Sequence, residues 1–93
     1  MAETANATEH WQMLFENWPD AIERRGSIVT VQGEPIPFTG FLISFGLLLV
    51  ERDGPDATGT RKVIIAYDSI SLVKLSTAGE LSRFQAMGFQ PSL

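Results

Sequence analysis

Few residues in this sequence have the type and spacing that catalysis or metal binding requires. The chain contains one histidine, His10, and no cysteine, which removes thiol nucleophiles, thiolate zinc sites and most histidine-based chemistry. No second ligand stands at a metal-binding spacing from His10, so we interpret it as a surface histidine. The sequence predicts no catalytic residue, no metal site and no cofactor.

The carboxylates do not change that prediction. The aspartates of the 53–60 loop lack the alternating ligands and the distal glutamate of a calcium loop, and its glycines lack the lysine of a phosphate-binding loop. Glu16, Asp20 and Glu23 share one side of a predicted helix, but no apolar pocket is apparent there to raise a carboxyl pKa. We therefore expect a protein that is not an enzyme.

Candidate binding chemistry is confined to two basic pairs and one aromatic residue. Arg24-Arg25 ends the helical segment and Arg61-Lys62 follows the 53–60 loop, and either pair could contact a phosphate or an acidic partner. The same pairs also suit structural roles, at a helix C-terminus and beside a strand that needs protection from aggregation. Tyr67, at a predicted corner, could stack on a base or cap the core.

Composition limits the class of protein. Ninety-three residues with 44% hydrophobic and 19% charged content predict one folded domain, residues 1–93. The formal charge of −4 disfavours a basic surface for nucleic acid. The most apolar stretch, 38–50, is shorter than the ~20 residues that span a bilayer, and the polar N-terminus lacks a secretory pattern, so we expect a cytoplasmic protein with no membrane contact.

The N-terminal third has helical periodicity. Residues 1–6 suggest a flexible arm, and the capping-box spacing of Asn6 and Glu9 predicts a helical segment over 7–25. One apolar stripe recurs at helical spacing: Trp11, Leu14, Phe15, Trp18 and Ile22. Pro19 predicts either a kink or the start of a second short helix that stops at Gly26.

The rest of the chain predicts strands. Short β-branched and apolar runs at 27–32, 38–45, 47–52, 62–67 and 70–75 alternate with turn residues, including a turn at 33–35. The runs at 38–45 and 47–52 are either two strands or one long strand bent at Gly46. The capping-box spacing of Thr77 and Glu80 predicts a short C-terminal helix over 77–88. The expected fold is mainly β, a small five-stranded strongly bent barrel (26–76) between an N-terminal α-helix and a short C-terminal helix.

Residues 41–50 are apolar on both strand faces, so both faces need a cover. A barrel interior and the tryptophan-rich helix cover part of this surface. The remaining apolar surface and the open sheet edges favour a neighbouring subunit, although the two terminal helices could instead complete a monomer.

The order of elements and three segments, 26–33, 38–45 and 70–73, resemble the Sm-like family, and within it the Hfq-type proteins. The similar features are the turn at Gly33, Gly40 with an apolar residue two positions later, the Ser44-Phe45 pair and Ile70-Ser71. The resemblance implies a strongly bent SH3-like barrel that assembles into a homomeric ring of about five to seven subunits.

In such rings, the fourth strand of one subunit pairs with the fifth strand of the next. The resemblance therefore implies a subunit interface formed by Val63, Ile64, Ile65, Ile70, Leu72 and Val73.

The RNA-binding motifs of the family are altered in this chain. Gly46 stands where the first motif has an aspartate, and Tyr67-Asp68 stands where the second has a cationic pair. The resemblance implies an RNA-associated ring, with Tyr67, Arg24, Arg25, Arg61 and Lys62 as the possible RNA or partner contacts. The altered motifs and the acidic charge favour the alternative, a structural or protein-binding oligomeric scaffold that does not bind RNA.

Overall fold

The computed structural model describes the backbone of residues 5–92 and the side chains of residues 7–92. In chain order the elements are helix α1 (Ala5–Glu16), strands β1 (Gly26–Thr30), β2 (Pro35–Phe38), β3 (Gly40–Ile43), β4 (Leu47–Glu51) and β5 (Lys62–Ala66), a short 3₁₀ helix (Tyr67–Ser69), strand β6 (Ile70–Leu75) and a C-terminal 3₁₀ helix (Leu81–Met87). The prediction of a mainly β fold with an N-terminal helix is confirmed. Within the described residues, no helix is long and apolar enough to cross a membrane.

Helix α1 differs from the predicted helical segment at both ends. Residues 1–4 of the predicted arm lie outside the described residues, whereas the backbone of Asn6 lies within α1 and not before its first residue. The helix ends at Glu16, well before the predicted end at Arg25, because Pro19 has no amide hydrogen and disfavours a helical conformation at the preceding residue. No second helix forms; residues 18–25 are turns and irregular chain.

Strand β1 ends two residues earlier than predicted, at the turn that leads into β2. The backbone N–H of Gly33 donates to the carbonyl of Thr30 (2.8 Å), and the φ angle of Gly33 is +91°, a conformation that glycine adopts without a steric cost. Strand β2 was not predicted, because Pro35 and Pro37 remove two ladder donors. They are tolerated because β2 lies at the edge of its sheet.

The six strands form two antiparallel sheets of three, with the orders β2-β1-β6 and β3-β4-β5. Thr39 alone separates β2 from β3, and its backbone N–H donates to the carbonyl of Glu51 (2.8 Å). The expected five-stranded barrel is not confirmed, because residues 5–92 form six strands and the sheets do not close. Strands β5 and β6 each lie at a sheet edge.

The C-terminal segment forms a 3₁₀ helix instead of the predicted helix over 77–88. Glu80 is its N-cap residue and makes no side-chain capping bond, so the predicted capping box with Thr77 is wrong. The segment is too short for stable α-helix nucleation, and short pieces commonly adopt 3₁₀ geometry. Gly88, with φ +101°, ends it. The Arg83 guanidinium ties the segment to the N-terminal region by donating to the Ala21 carbonyl (2.6 Å).

The core lies where α1 and the following turn pack on both sheets. The Phe15 ring stacks on Trp18 with the centroids 5.4 Å apart, and both rings meet Phe41 edge-on at 5.0 and 5.2 Å. The Trp18 indole Nε1 donates to the carbonyl of Ile22 (2.9 Å). The buried residues are Phe15, Trp18, Ile22, Ile28, Ile36, Phe38, Phe41, Leu48, Val50, Ile65, Tyr67 and Ile70.

Candidate functional site

The predicted subunit interface lies on the two edge strands. On β5, Ile65 is buried, Val63 is partly buried and Ile64 is 68% exposed. On β6, Leu72 is 42% exposed and Val73 is partly buried, while Ile70 at the start of the strand is buried in the core. Each strand therefore carries an exposed aliphatic side chain next to an open backbone edge. Contact between subunits at these residues stays a prediction.

A flat apolar surface covers the outside of the β3-β4-β5 sheet. Leu42 pairs with Leu49, and Leu49 pairs with Ile64, so the three side chains follow one line across the sheet. Leu42 is 69% exposed. We call this surface the outer apolar face, and its residues are Leu42, Leu47, Leu49 and Ile64. At its border, Phe45 is 92% exposed at the tip of the β3–β4 turn.

The two basic pairs lie near the line where the sheets meet. Gly26, the first residue of β1, pairs with Phe38 at the end of β2. Gly40, the first residue of β3, pairs with Glu51, which also pairs with Lys62, the first residue of β5. The starts of β1 and β5 therefore both lie near the point where the chain passes from one sheet to the other. The Arg24 guanidinium carbon lies 5.1 Å from the centroid of the Phe41 ring, a cation–π geometry. Arg24 is therefore engaged with the core.

Of the other three cations, Lys62 is paired with a carboxylate. Its Nζ lies 3.4 Å from a carboxylate oxygen of Glu51, on two side chains that are both mostly exposed. Arg25 and Arg61 are exposed. A phosphate would compete with Glu51 for Lys62, whereas Arg25 and Arg61 are accessible. RNA or partner contact at the four cations stays a prediction.

Tyr67 lies in the core. Its ring is fully buried, 6.2 Å from that of Phe15, so it does not present a stacking surface to a base. The structure thus favours the capping role over the contact role. Its hydroxyl is buried and has no hydrogen-bond partner among the described residues. Burial raises the pKa of Tyr67, and the negative charge of Glu16 adds to that effect.

The Asp56 carboxylate organises the loop between β4 and β5. It accepts hydrogen bonds from the backbone N–H groups of Thr60 (2.9 Å) and Thr58 (2.9 Å) and from the Thr58 hydroxyl (2.9 Å). These bonds, led by that of Thr60, lower the pKa of Asp56. The side chain therefore holds its own turn. Among residues 5–92, no group of three histidine, aspartate or glutamate side chains could hold a metal ion.

A groove that the sequence did not predict as a site lies between α1, β6 and the C-terminal segment. Its volume is about 770 Å³, and Trp11, Trp18, Val73, Leu81 and Phe84 are among its lining residues. The sequence did indicate part of this groove. The two tryptophans belong to the predicted apolar stripe, and Leu81 and Phe84 belong to the predicted C-terminal helix. The sequence did not predict that these two distant segments lie side by side.

The comparisons with known proteins do not assign a family. No protein-family model matches the chain. Neither the curated proteins nor the solved structures give a match. The fold and the surfaces described above are therefore the basis for any functional proposal.

Proposed function

We propose that this chain is a non-catalytic subunit of a homomeric Sm-like ring that serves as a protein-binding scaffold. The observation that carries the proposal is that β5 and β6, two of the four edge strands, each carry an exposed aliphatic side chain. An open strand edge presents unpaired backbone donors and acceptors, and pairing with a second copy satisfies them.

The strand order supports an Sm-like interpretation. If β2 and β3 are counted as two arms of one strand bent at Thr39, the six strands become five, in the order β6-β1-β2/β3-β4-β5. The first and last strands of this order are the two open edges. They are also the strands that the resemblance assigns to the subunit interface.

The side-chain pattern suggests a register for the pairing. On β5, Val63 lies opposite Val50, which is fully buried, and on β6, Val73 lies opposite the fully buried Ile28, so both valines point inward. An antiparallel pair that keeps both inward faces on one side can set Val63 against Val73. Ile64 then meets Leu72, and each covers exposed apolar surface of the other.

A neighbouring register would instead set Ile64 against Lys74. The first register buries two aliphatic side chains, and the second buries one beside a lysine stem, so we favour the first. In the first register Lys62 faces Lys74, a like-charge contact that the carboxylate of Glu51 reduces, because it lies 3.4 Å from Lys62.

The charge distribution favours protein over RNA as the partner of the ring. Two of the four candidate cations, Arg24 and Lys62, already have partners within the chain. Asp68 is exposed at the corner between β5 and β6, where it would repel a phosphate. With a formal charge of −4 on each chain, the assembled ring would attract a basic protein surface.

Engineered cysteine pairs test the ring and its register together. The chain has no cysteine, so every disulfide must come from the introduced pair. We expect the double variant Ile64→Cys, Leu72→Cys to form a ladder of cross-linked chains under oxidation, since directly opposed strand residues fall within disulfide distance. The matched variant Ile64→Cys, Lys74→Cys should cross-link less, and Leu42→Cys, Leu72→Cys should not cross-link.

Native mass spectrometry of the unmodified chain completes the test. A closed species of about five to seven chains is the expected result. A monomer at all concentrations, without a cross-linked ladder, would contradict the ring. RNA binding at low salt that falls steeply as salt rises would replace the scaffold with an RNA-associated ring.

A further inference from the structure

The groove beside β6 has three walls from different parts of the chain. Trp11 and Trp18 come from the N-terminal region, Val73 from β6, and Leu81, Phe84 and Phe89 from the C-terminal segment. The Arg83 guanidinium, which donates to the Ala21 carbonyl, joins two of these walls. The result is a concavity, unlike the flat outer apolar face, and its volume of about 770 Å³ lies within the range of small-molecule sites.

The described residues that line the groove are uncharged. Among residues 7–92, no lysine, arginine, histidine, aspartate or glutamate lines it, although charged residues make up 19% of the chain. A charged occupant would therefore lose hydration without gaining an opposite charge. Besides Trp18, four polar residues line it: Trp11, Ser82, Gln85 and Gln90.

The side chains of these four residues are available for a ligand. None of them makes a hydrogen bond within the described part of the chain, whereas the Trp18 indole N–H is already bound to the Ile22 carbonyl. At the rim, Leu81 is 87% exposed and Phe89 is also largely exposed. An occupant would remove this apolar surface from water and could accept or donate a hydrogen bond at the walls.

We propose that this groove binds one uncharged, mainly apolar small molecule with a ring system that packs against the tryptophans. The neutral lining determines the charge of the ligand, the volume its size, and the aromatic wall its ring character. The groove shares Val73 with the predicted subunit interface, but the argument from its lining uses no contact between subunits, so it does not rest on the ring proposal.

The uncharged fluorescent probe N-phenyl-1-naphthylamine tests this site directly. The chain has two tryptophans, and both line the groove, so energy transfer from tryptophan to the bound probe reports binding at this position. We expect saturable binding of one probe per chain with quenching of tryptophan emission. The measurement uses the full chain at a concentration where native mass spectrometry shows one assembly state.

Two variants and one control locate the probe. Leu81→Arg places a charge at the rim of the groove, and Gln85→Glu places a carboxylate on its wall; each should weaken binding at least about tenfold. Leu81 and Gln85 are both exposed, so the fold does not depend on their burial. Val31→Arg introduces the same charge at an exposed residue of the β1–β2 turn and should leave binding unchanged.

Three results would overturn the proposal. The first is the absence of saturable binding to the unmodified chain. The second is unchanged affinity in both folded groove variants. The third is protection of the tryptophans from acrylamide as chains assemble, together with no probe binding, which would show that a second copy covers the groove.

Discussion

The outer apolar face and the groove beside β6 expose the same types of side chain but differ in shape. The outer apolar face is a flat strand surface, on which Leu42 and Ile64 stand in line. The groove is concave and is walled by a helix, a strand and a 3₁₀ helix. A flat apolar surface can be covered only by another extended surface, whereas a concavity of this volume can enclose a small molecule. Shape therefore assigns the two regions to different kinds of partner.

The largest expected effect comes from a residue on which both regions depend. Phe15 packs against Trp18, which lines the groove, and against Phe41 and Tyr67 in the core. Phe15→Ala should lower the free energy of unfolding by about 3–5 kcal/mol, because it leaves a cavity among buried rings. Urea unfolding followed by circular dichroism measures this loss. A loss below about 1 kcal/mol would show that the regions are supported separately.

The next prediction distinguishes a contact through the outer apolar face from a contact through the edge of β5. Ile64 and Leu42 are almost equally exposed on the outer apolar face, but Ile64 lies on the edge strand β5. Ile64→Lys should shift the native mass toward the single chain, because it removes the apolar contact that we propose with Leu72 of the next copy. Leu42→Lys should leave the mass unchanged. Equal disruption by both variants would instead assign the contact to the face and not to the edge.

Two smaller effects are expected from changes at two buried polar groups, the indole N–H of Trp18 and the hydroxyl of Tyr67. On the groove side, Trp18→Phe removes the hydrogen bond to the buried Ile22 carbonyl and should cost about 1–3 kcal/mol of stability. In the core, Tyr67→Phe removes a buried hydroxyl that has no partner among residues 7–92 and should be neutral or stabilise by up to about 1 kcal/mol. Both changes are measured by urea unfolding. Destabilisation by Tyr67→Phe would reveal a hydrogen-bond partner for the hydroxyl.

The smallest effect is expected in the loop that joins β4 to β5. The pKa of Asp56 is lowered in the folded chain, chiefly by the hydrogen bond from the Thr60 amide, so its ionised form contributes stability above the ordinary aspartate pKa. That contribution is lost as the pH falls through the lowered pKa. Asp56→Asn should remove this part of the acid dependence of the unfolding midpoint, measured between about pH 2 and 5. An unchanged acid profile would contradict it.

Several local features could be predicted because they depend on nearby residues. Ile70–Leu75 forms the predicted last strand, and Gly88 ends the C-terminal helical turn as predicted. Trp18 and Ile22 are buried as their spacing suggested, although the helix ends before them. A bent chain thus preserves the burial that a straight helix was expected to provide. The spacing identified the apolar residues correctly but not the conformation that brings them to the core.

Other features required contacts between distant parts of the chain. Strand β2 was missed because Pro35 and Pro37 argue locally against a strand, and only its position at a sheet edge makes them acceptable. Tyr67 was left between two roles, since the residues around it do not reveal that Phe15 lies 6.2 Å from its ring. Whether Tyr67 could contact a partner thus depended on its burial, which no local sequence pattern specifies.

The sequence by itself determined that this chain has a mainly β fold with an N-terminal helix, no cysteine and a formal charge of −4. Strand alternation and helical spacing are local properties, so they specify which residues share a face. Only the tertiary structure decided which faces remain exposed: Ile64 and Ile65 are chemically alike neighbours, yet one is 68% exposed and the other is buried. The same holds for the groove, because its walls approach one another only when distant segments pack together.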